Sequence, residues 1–507
     1  MRLMKLILGM LASLMLALVI APTSARAQQD QNQTQQSAQA QGQNQSQSQG
    51  NAPIPAYHSP LAGLSDNGDA ASADQMQPDT RPLAGAQDIA IGTLPNTHSY
   101  WEPHFDITTT GDSNPLNASG SNGWTTWTTL MAGIDLHRVS GNSNLAVTYT
   151  AGGEISNDGN SNSSILQQFG LNEKISWRRS TLTLIDQLDY VPDIAIGYGS
   201  LSGLQLPGGG SLGLQQGFLP GQAIVTPEGE RLTNTAIVQD DTYLTPRSSI
   251  TFVAGYSLLH YYGSDLLNMG DTIFQGGYNY QMTRKDTLAV FYRFSGYRYG
   301  NINQSINDNL AQLSYGRRVT GKLAFQIAAG PEISFLQIPI STTSGSGTGG
   351  GSSGGTGTVT LNSQRQIYWS LNSSLTYQLQ RTGFVASYNH GLSGGSGVFA
   401  GAVSDSVSGA VSRQLSRVLG GGMNFGYSRN AGVDYAAATP INQSYDYWFG
   451  GANLSRPFGR DLNVSLAYQI QYQNSNVPFC IGTACETTLT RNMITLSVAW
   501  HSRPLTY

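Results

Sequence analysis

The sequence predicts an all-β fold, a transmembrane, antiparallel, up-and-down β-barrel of about 18 strands behind a disordered N-terminal segment. Three observations predict it. Only 11% of the 507 residues are charged, where soluble proteins carry about 25%. From about residue 98 to residue 500 the chain alternates apolar and uncharged polar residues with period two. The connectors between alternating segments are short and basic, then variable and often long, in strict succession.

The charge scarcity excludes several classes. Three soluble domains, which the length would allow, need far more charge to keep their surfaces solvated. Disorder along the whole chain is excluded by a 9% aromatic content. A net charge of −4 gives no bulk attraction to nucleic acid, so no nucleic-acid partner is expected. A helical membrane protein needs repeated apolar runs of about 20 residues, and only the N-terminus has one.

That run reads as a secretory signal peptide over residues 1–27. Arg2 and Lys5 form its basic start, Leu6 to Ile20 its apolar stretch, and Ala25-Arg26-Ala27 its cleavage site. Residues 28–97 follow as a disordered segment and linker. Twelve glutamines occupy the 23 positions 28–50, and such a tract buries too little apolar surface to offset the entropy of ordering. Cys480 and Cys485, the only cysteines, are a candidate disulfide, because a secreted chain meets an oxidising compartment and their spacing closes a small loop.

Residues 98–507 are the expected barrel. Leu462, Val464, Leu466, Tyr468, Ile470 and Tyr472 alternate with Asn463, Ser465, Ala467, Gln469, Gln471 and Gln473. Ile494, Leu496, Val498 and Trp500 repeat the pattern, as do Ile367, Trp369, Leu371, Leu375, Tyr377 and Leu379. Each segment has one apolar face and one polar, mostly uncharged face, at the length that spans a bilayer. The segments near 98–111, 303–316 and 443–455 alternate poorly. The short connectors hold 14 of the 23 basic residues that remain after the signal. Arginine at mid-membrane on a lipid-facing wall costs about 2–4 kcal/mol, so basic turns mark a rim. An even strand count puts both termini on the short-turn side, the periplasm. Tyrosines and tryptophans near strand ends, such as Tyr256, Tyr280, Trp448 and Trp500, suit aromatic girdles.

On these features (signal, alternation, asymmetric turns and a closing aromatic) residues 98–507 resemble the Gram-negative outer-membrane β-barrel proteins, and the strand count resembles that of porin-like barrels. The resemblance implies an outer-membrane location, contact with membrane lipid and with the outer-membrane assembly machinery. The chain departs from the class at its end. Clean alternation stops at Trp500, and His501 to Tyr507 follow, with Pro504 among them.

No catalytic, cofactor or metal site is expected. Gly391-Leu392-Ser393-Gly394-Gly395 and Gly209-Gly210-Ser211-Leu212-Gly213 match G-x-S-x-G without the strand-to-helix elbow that motif needs. Gly345, Gly347 and Gly350 lie in a Gly/Ser/Thr tract with no helix after it. The seven histidines lack metal-ligand spacing. Residues 28–97 are too short and too polar to form a folded plug.

The expected function is passive passage of small hydrophilic solutes. Asp135, Glu154, Lys174, Arg293, Glu332 and Arg491 fall on the lumen phase and are the candidate charges that bias passage. The connector 192–230, with Ile194, Leu201, Leu206 and Phe218, is apolar enough to fold inward and narrow the lumen, whereas 336–363 reads as a mobile Gly/Ser loop. The alternative is a structural or surface-interaction barrel with a closed lumen and partner-binding external loops.

Overall fold

The computed structural model describes residues 99–506, except 114–123, 157–163, 192–229, 263–266, 343–357, 396–398, 434–443, 477–487 and positions 301, 303, 380, 417 and 460. The signal peptide, the glutamine tract, loop 192–230, Gly209 to Gly213, Gly345 to Gly350, Cys480 and Cys485 all lie outside the described residues. Eighteen long strands run in chain order: β1 (Tyr100–Asp112), β2 (Thr125–Ser140), β3 (Ser143–Ser156), β4 (Ser164–Ser176), β5 (Ser180–Val191), β6 (Glu230–Thr245), β7 (Ser248–Tyr262), β8 (Met269–Gln281), β9 (Asp286–Tyr299), β10 (Gln304–Arg318), β11 (Leu323–Thr342), β12 (Thr358–Gln378), β13 (Thr382–Ser393), β14 (Ala402–Gln414), β15 (Gly420–Gly432), β16 (Ser444–Phe458), β17 (Leu462–Ser475) and β18 (Thr488–His501). A two-residue strand, β19 (Leu505–Thr506), follows.

Every long strand pairs antiparallel with the next, and β18 pairs back onto β1 from His104↔His501 to Asp112↔Met493. The sheet is therefore closed, and closure removes the unpaired edges that no bilayer tolerates. The tight turns have a local cause. The β2–β3 connection is the two-residue Gly141-Asn142, with Ser140 paired to Ser143, and Gly141 takes φ 57°, the left-handed conformation such hairpins demand.

Alternation becomes two chemically distinct surfaces. Outward stand Phe105, Ile107, Phe252, Phe274, Val290, Ile367, Phe425, Leu466, Ile494 and many like them, all exposed. An apolar outer face of this extent is that of a membrane-spanning barrel. Inward stand Thr110, Gln239, Gln275, Gln312, Gln471 and Thr495, all buried.

The chain end is resolved by pairing. Tyr100↔Thr506 and Trp101↔Leu505 continue the β1 contact beyond His104↔His501, with one extra residue on the C-terminal side. This is a β-bulge, where a proline without an N–H is tolerated, and Pro504 lies inside it. Ser502 N donates to the Pro103 carbonyl across the bulge at 2.9 Å. Alternation stops at Trp500, but the seam runs on to Thr506.

Two connectors differ from their expected form. Strands β11 and β12 continue pairing to Thr342↔Thr358, so the loop expected over 336–363 begins only at residue 343. The connector expected over 391–397 spans 394–401, and it turns into the barrel.

Candidate functional site: a lumen crossed by a hairpin

Strand β13 pairs with β12 only up to Leu371↔His390, while its pairing with β14 continues to Ser393↔Ala402. The β13–β14 hairpin thus parts from β12 and bends inward. Its tip lands on the inner wall of β8–β11. Leu392 and Ala400 join Leu259, Tyr261, Met269, Tyr297, Tyr299, Ile306, Leu336 and Val433 in one buried apolar cluster. Tyr299 Oη donates to the Gly394 carbonyl at 3.0 Å, and Gln304 Nε2 donates to the Ala400 carbonyl at 3.2 Å. Phe399 stands edge-on to Tyr445 at 4.9 Å on the other side.

The glycines here are required. A Cβ on Gly401 would sit 2.3 Å from Ile306 Cδ1, and Gly401 has φ 93°, a region costly for any L side chain. The Ser393 hydroxyl of the G-x-S-x-G match donates to the Ala402 carbonyl at 3.1 Å. Its role is to hold the hairpin.

Beneath the tip lies a charged cluster on β8–β11. Arg293 Nη2 is 3.6 Å from Glu332 Oε1, and the Leu392 N–H donates to Glu332 Oε2 at 3.1 Å. Asp308 accepts from the Ser334 hydroxyl at 2.7 Å, and Asp271 lies within electrostatic reach of Arg293 and Asp308. The hairpin backbone is thereby tied to a carboxyl group of the wall.

Two further clusters occupy the inner face. Near the long-loop end, Arg491 of β18 meets Asp112 of β1 at 2.5 Å, both fully buried. Glu154 of β3 lies within electrostatic reach of Arg491. Near the short-turn end, His104 Nδ1 is 3.0 Å from Asp135 Oδ2 and its Nε2 is 3.1 Å from the Thr150 hydroxyl. The imidazole reaches Thr150 by lying over Gly133, where a Cβ would be 2.2 Å from Nε2. His501 faces Glu102 at 3.6 Å, and the His104 and His501 rings are 5.7 Å apart. The Thr150–His104–Asp135 order resembles a nucleophile, base and orienter. Thr150 is fully buried, however, and gives a substrate no access.

The structure places the six candidate charges as follows. Asp135, Arg293, Glu332 and Arg491 are buried on the inner face. Glu154 shares that face, and Lys174, opposite Asn144 and Thr183, lies on it near the short-turn end. It brings Arg293 together with Glu332, and Arg491 towards Glu154, and leaves Asp135 and Lys174 apart from both. Asp112, Asp271 and Asp308 were missed, although their parity in the strand put them on the lumen phase. His104 and His501 are remote in sequence, and only barrel closure brings them together. Among the described residues, no group of three His, Cys, Asp or Glu side chains is arranged to hold a metal ion.

No family model matches the chain, and no curated protein matches it. Solved structures similar to it include OpdQ of Pseudomonas aeruginosa, at 10% identity and a TM-score of 0.38 over 80% of this chain and 98% of that one. Another is P. aeruginosa OpdK with vanillate, at 11% identity and 0.38 over 80% and 99%. A third is OccAB3 of Acinetobacter baumannii, at 10% identity and 0.39 over 79% and 99%. At such values neither solute nor mechanism follows from the likeness.

Proposed function

We propose that the chain is a passive outer-membrane channel for small hydrophilic solutes, with the β13–β14 hairpin as its constriction. One observation carries the reading: an inner face of Ser, Thr, Asn and Gln behind an apolar outer face, with the β13–β14 hairpin, among the described residues, bent into the space between. A barrel of this strand number has room for an aqueous path unless a loop blocks it. Glu154, Lys174 and the Arg293–Glu332 and Arg491–Asp112 pairs are proposed to bias which solutes pass. Asp135, held by His104, is proposed to do so at the short-turn mouth. The short basic turns and both chain ends belong to the periplasmic side, and the bulged β18–β19 seam is the segment offered to the assembly machinery. Chemistry on a substrate is not part of this reading.

The competing reading, a closed barrel whose external loops bind a partner, draws on the anchoring of the tip on both sides. Single-channel recording of the purified protein in a planar bilayer separates them. Discrete openings are expected; their absence, both in the full chain and after residues 394–401 are shortened, overturns the channel.

A further inference from the structure

The outer face of β5 reads Leu182, Leu184, Asp186, Leu188, Tyr190, so a carboxyl stands at the centre of an apolar belt. Across the strand pair, Asn234 Nδ2 donates to Asp186 Oδ1 at 2.9 Å and to the Gln187 carbonyl at 3.1 Å. Leu171 faces Asp186 from β4, and Ala236 faces it from β6. Behind this polar pair, on the lumen face, Ile185, Ile237, Val253 and Ile273 form a buried apolar cluster. Polar and apolar faces are thus exchanged locally.

Hydrocarbon offers no hydrogen bond to a carboxyl, and an unsatisfied polar group there is costly. Other outward acids nearby have different surroundings. Glu173 accepts from the Ser143 hydroxyl at 3.0 Å next to the short-turn rim, and Asp240 accepts from the Thr242 hydroxyl at 2.9 Å in the short-turn half of β6, with Leu244 beyond it on the same face. Towards the long-loop end, His390, Asp405, Arg429 and Asp446 face one another in register on β13–β16, with His390 Nδ1 2.6 Å from Asp405 Oδ1. At mid-belt Asp186 has the Asn234 amide and the Gln187 backbone N–H as its partners, and no charged one is among them.

We propose that the outer face of β4–β6 docks a second copy of this chain about a two-fold axis passing beside Asp186 and Asn234. A carboxyl–amide pair is its own complement under a two-fold rotation, since the acid form of Asp186 donates to the amide oxygen of the facing copy and the bond is reciprocated. A second copy also presents its pair at the same membrane depth and orientation. Among the described residues no outward cation stands at mid-belt, so a head-to-tail contact has no charge to set against Asp186. Polar side chains hold membrane segments together in this way. The inference rests on the membrane reading of the barrel and is independent of whether the lumen conducts.

The test uses the full chain in native membranes, with Cys480 and Cys485 changed to serine and Leu188→Cys introduced beside the axis. Oxidation with copper phenanthroline is expected to give a band of twice the chain mass, while Val407→Cys on β14, nine strands away on the opposite wall, gives none. The double variant Asp186→Leu/Asn234→Leu is expected to halve the detergent-corrected mass and keep heat-modifiable gel mobility, which shows the barrel intact. A membrane-embedded monomer, a trimer, or a cross-link to a different protein overturns the proposal. So does a double variant of unchanged mass with a raised melting temperature, which is the result for a carboxyl bathed in lipid. A protein recovered in the soluble fraction removes the membrane reading itself.

Discussion

Two hairpins that are neighbours in the wall leave the barrel in opposite ways. The β11–β12 ribbon keeps its pairing to Thr342↔Thr358 and extends beyond the adjoining strands, while the β13–β14 hairpin bends inside. Both connectors are rich in glycine. The difference lies in what flanks the glycines. The 343–357 connector is composed of Gly, Ser and Thr apart from one valine outside it at 359, and gains nothing by approaching a wall. The 391–403 segment carries Leu392, Phe399 and Val403, and the wall opposite offers Met269, Tyr297, Tyr299 and Ile306. Burying one such side chain is worth about 1.5–3 kcal/mol, enough to fix a short tip. Glycine permits either path, and apolar complementarity selects one.

The contrast can be broken or sharpened by experiment. Replacing residues 394–401 with an Asn-Gly turn is expected to raise single-channel conductance severalfold while heat-modifiable mobility persists. Unchanged conductance would mean that the tip is not the constriction. Wall charges should behave in the opposite manner. Arg491→Ala leaves Asp112 buried without its cation and should cost the barrel about 3–5 kcal/mol, read from denaturant unfolding, with little change in protease sensitivity at the tip. Leu392→Ala should weaken tip docking by about 2–4 kcal/mol, seen as faster proteolysis near residue 396 with an unaltered unfolding midpoint. Gly401→Ala meets both Ile306 and a positive φ and should cost about 1–3 kcal/mol of docking by the same assay.

The smallest effect belongs to the rim. Asp286, at the rim where β9 begins, accepts from the Thr283 hydroxyl at 2.6 Å and from Tyr315 Oη at 2.8 Å, and these bonds, with Arg317 beyond them, hold its carboxyl below the usual aspartate range. A depressed pKa contributes stability above the unfolded value, and that contribution is lost as pH falls through the folded one. Asp286→Asn should therefore be slightly less stable than the parent at neutral pH and equal to it in strong acid. A difference that survives in acid would assign the effect to the turn's geometry and not to its charge.

Much of the architecture was legible because a closed sheet imposes period two on every strand. Strands β12, β17 and β18 could be read residue by residue, and the strict alternation of short and long connectors fixed the count. The segments that alternated poorly have a structural cause. On β10 the inner face carries Ile306 and Leu310, and on β16 it carries Tyr445, Tyr447 and Phe449, all buried. These apolar residues face the lumen because a hairpin packs on them, or on their neighbours, from inside. Outward, the same strands carry Asn307, Asn309 and Asp446, so both faces depart from the pattern. Parity alone sets the face on which each of the six candidate charges stands.

The sequence by itself determined the strand count, the two faces and the basic rim, because each depends only on neighbours along the chain or on residue type. Tertiary structure alone decided that the β13–β14 hairpin packs inside the barrel, which carboxylate meets Arg491, and that His104 and His501 stand side by side. Those contacts join residues up to 397 positions apart, and they exist only after the eighteenth strand has closed on the first.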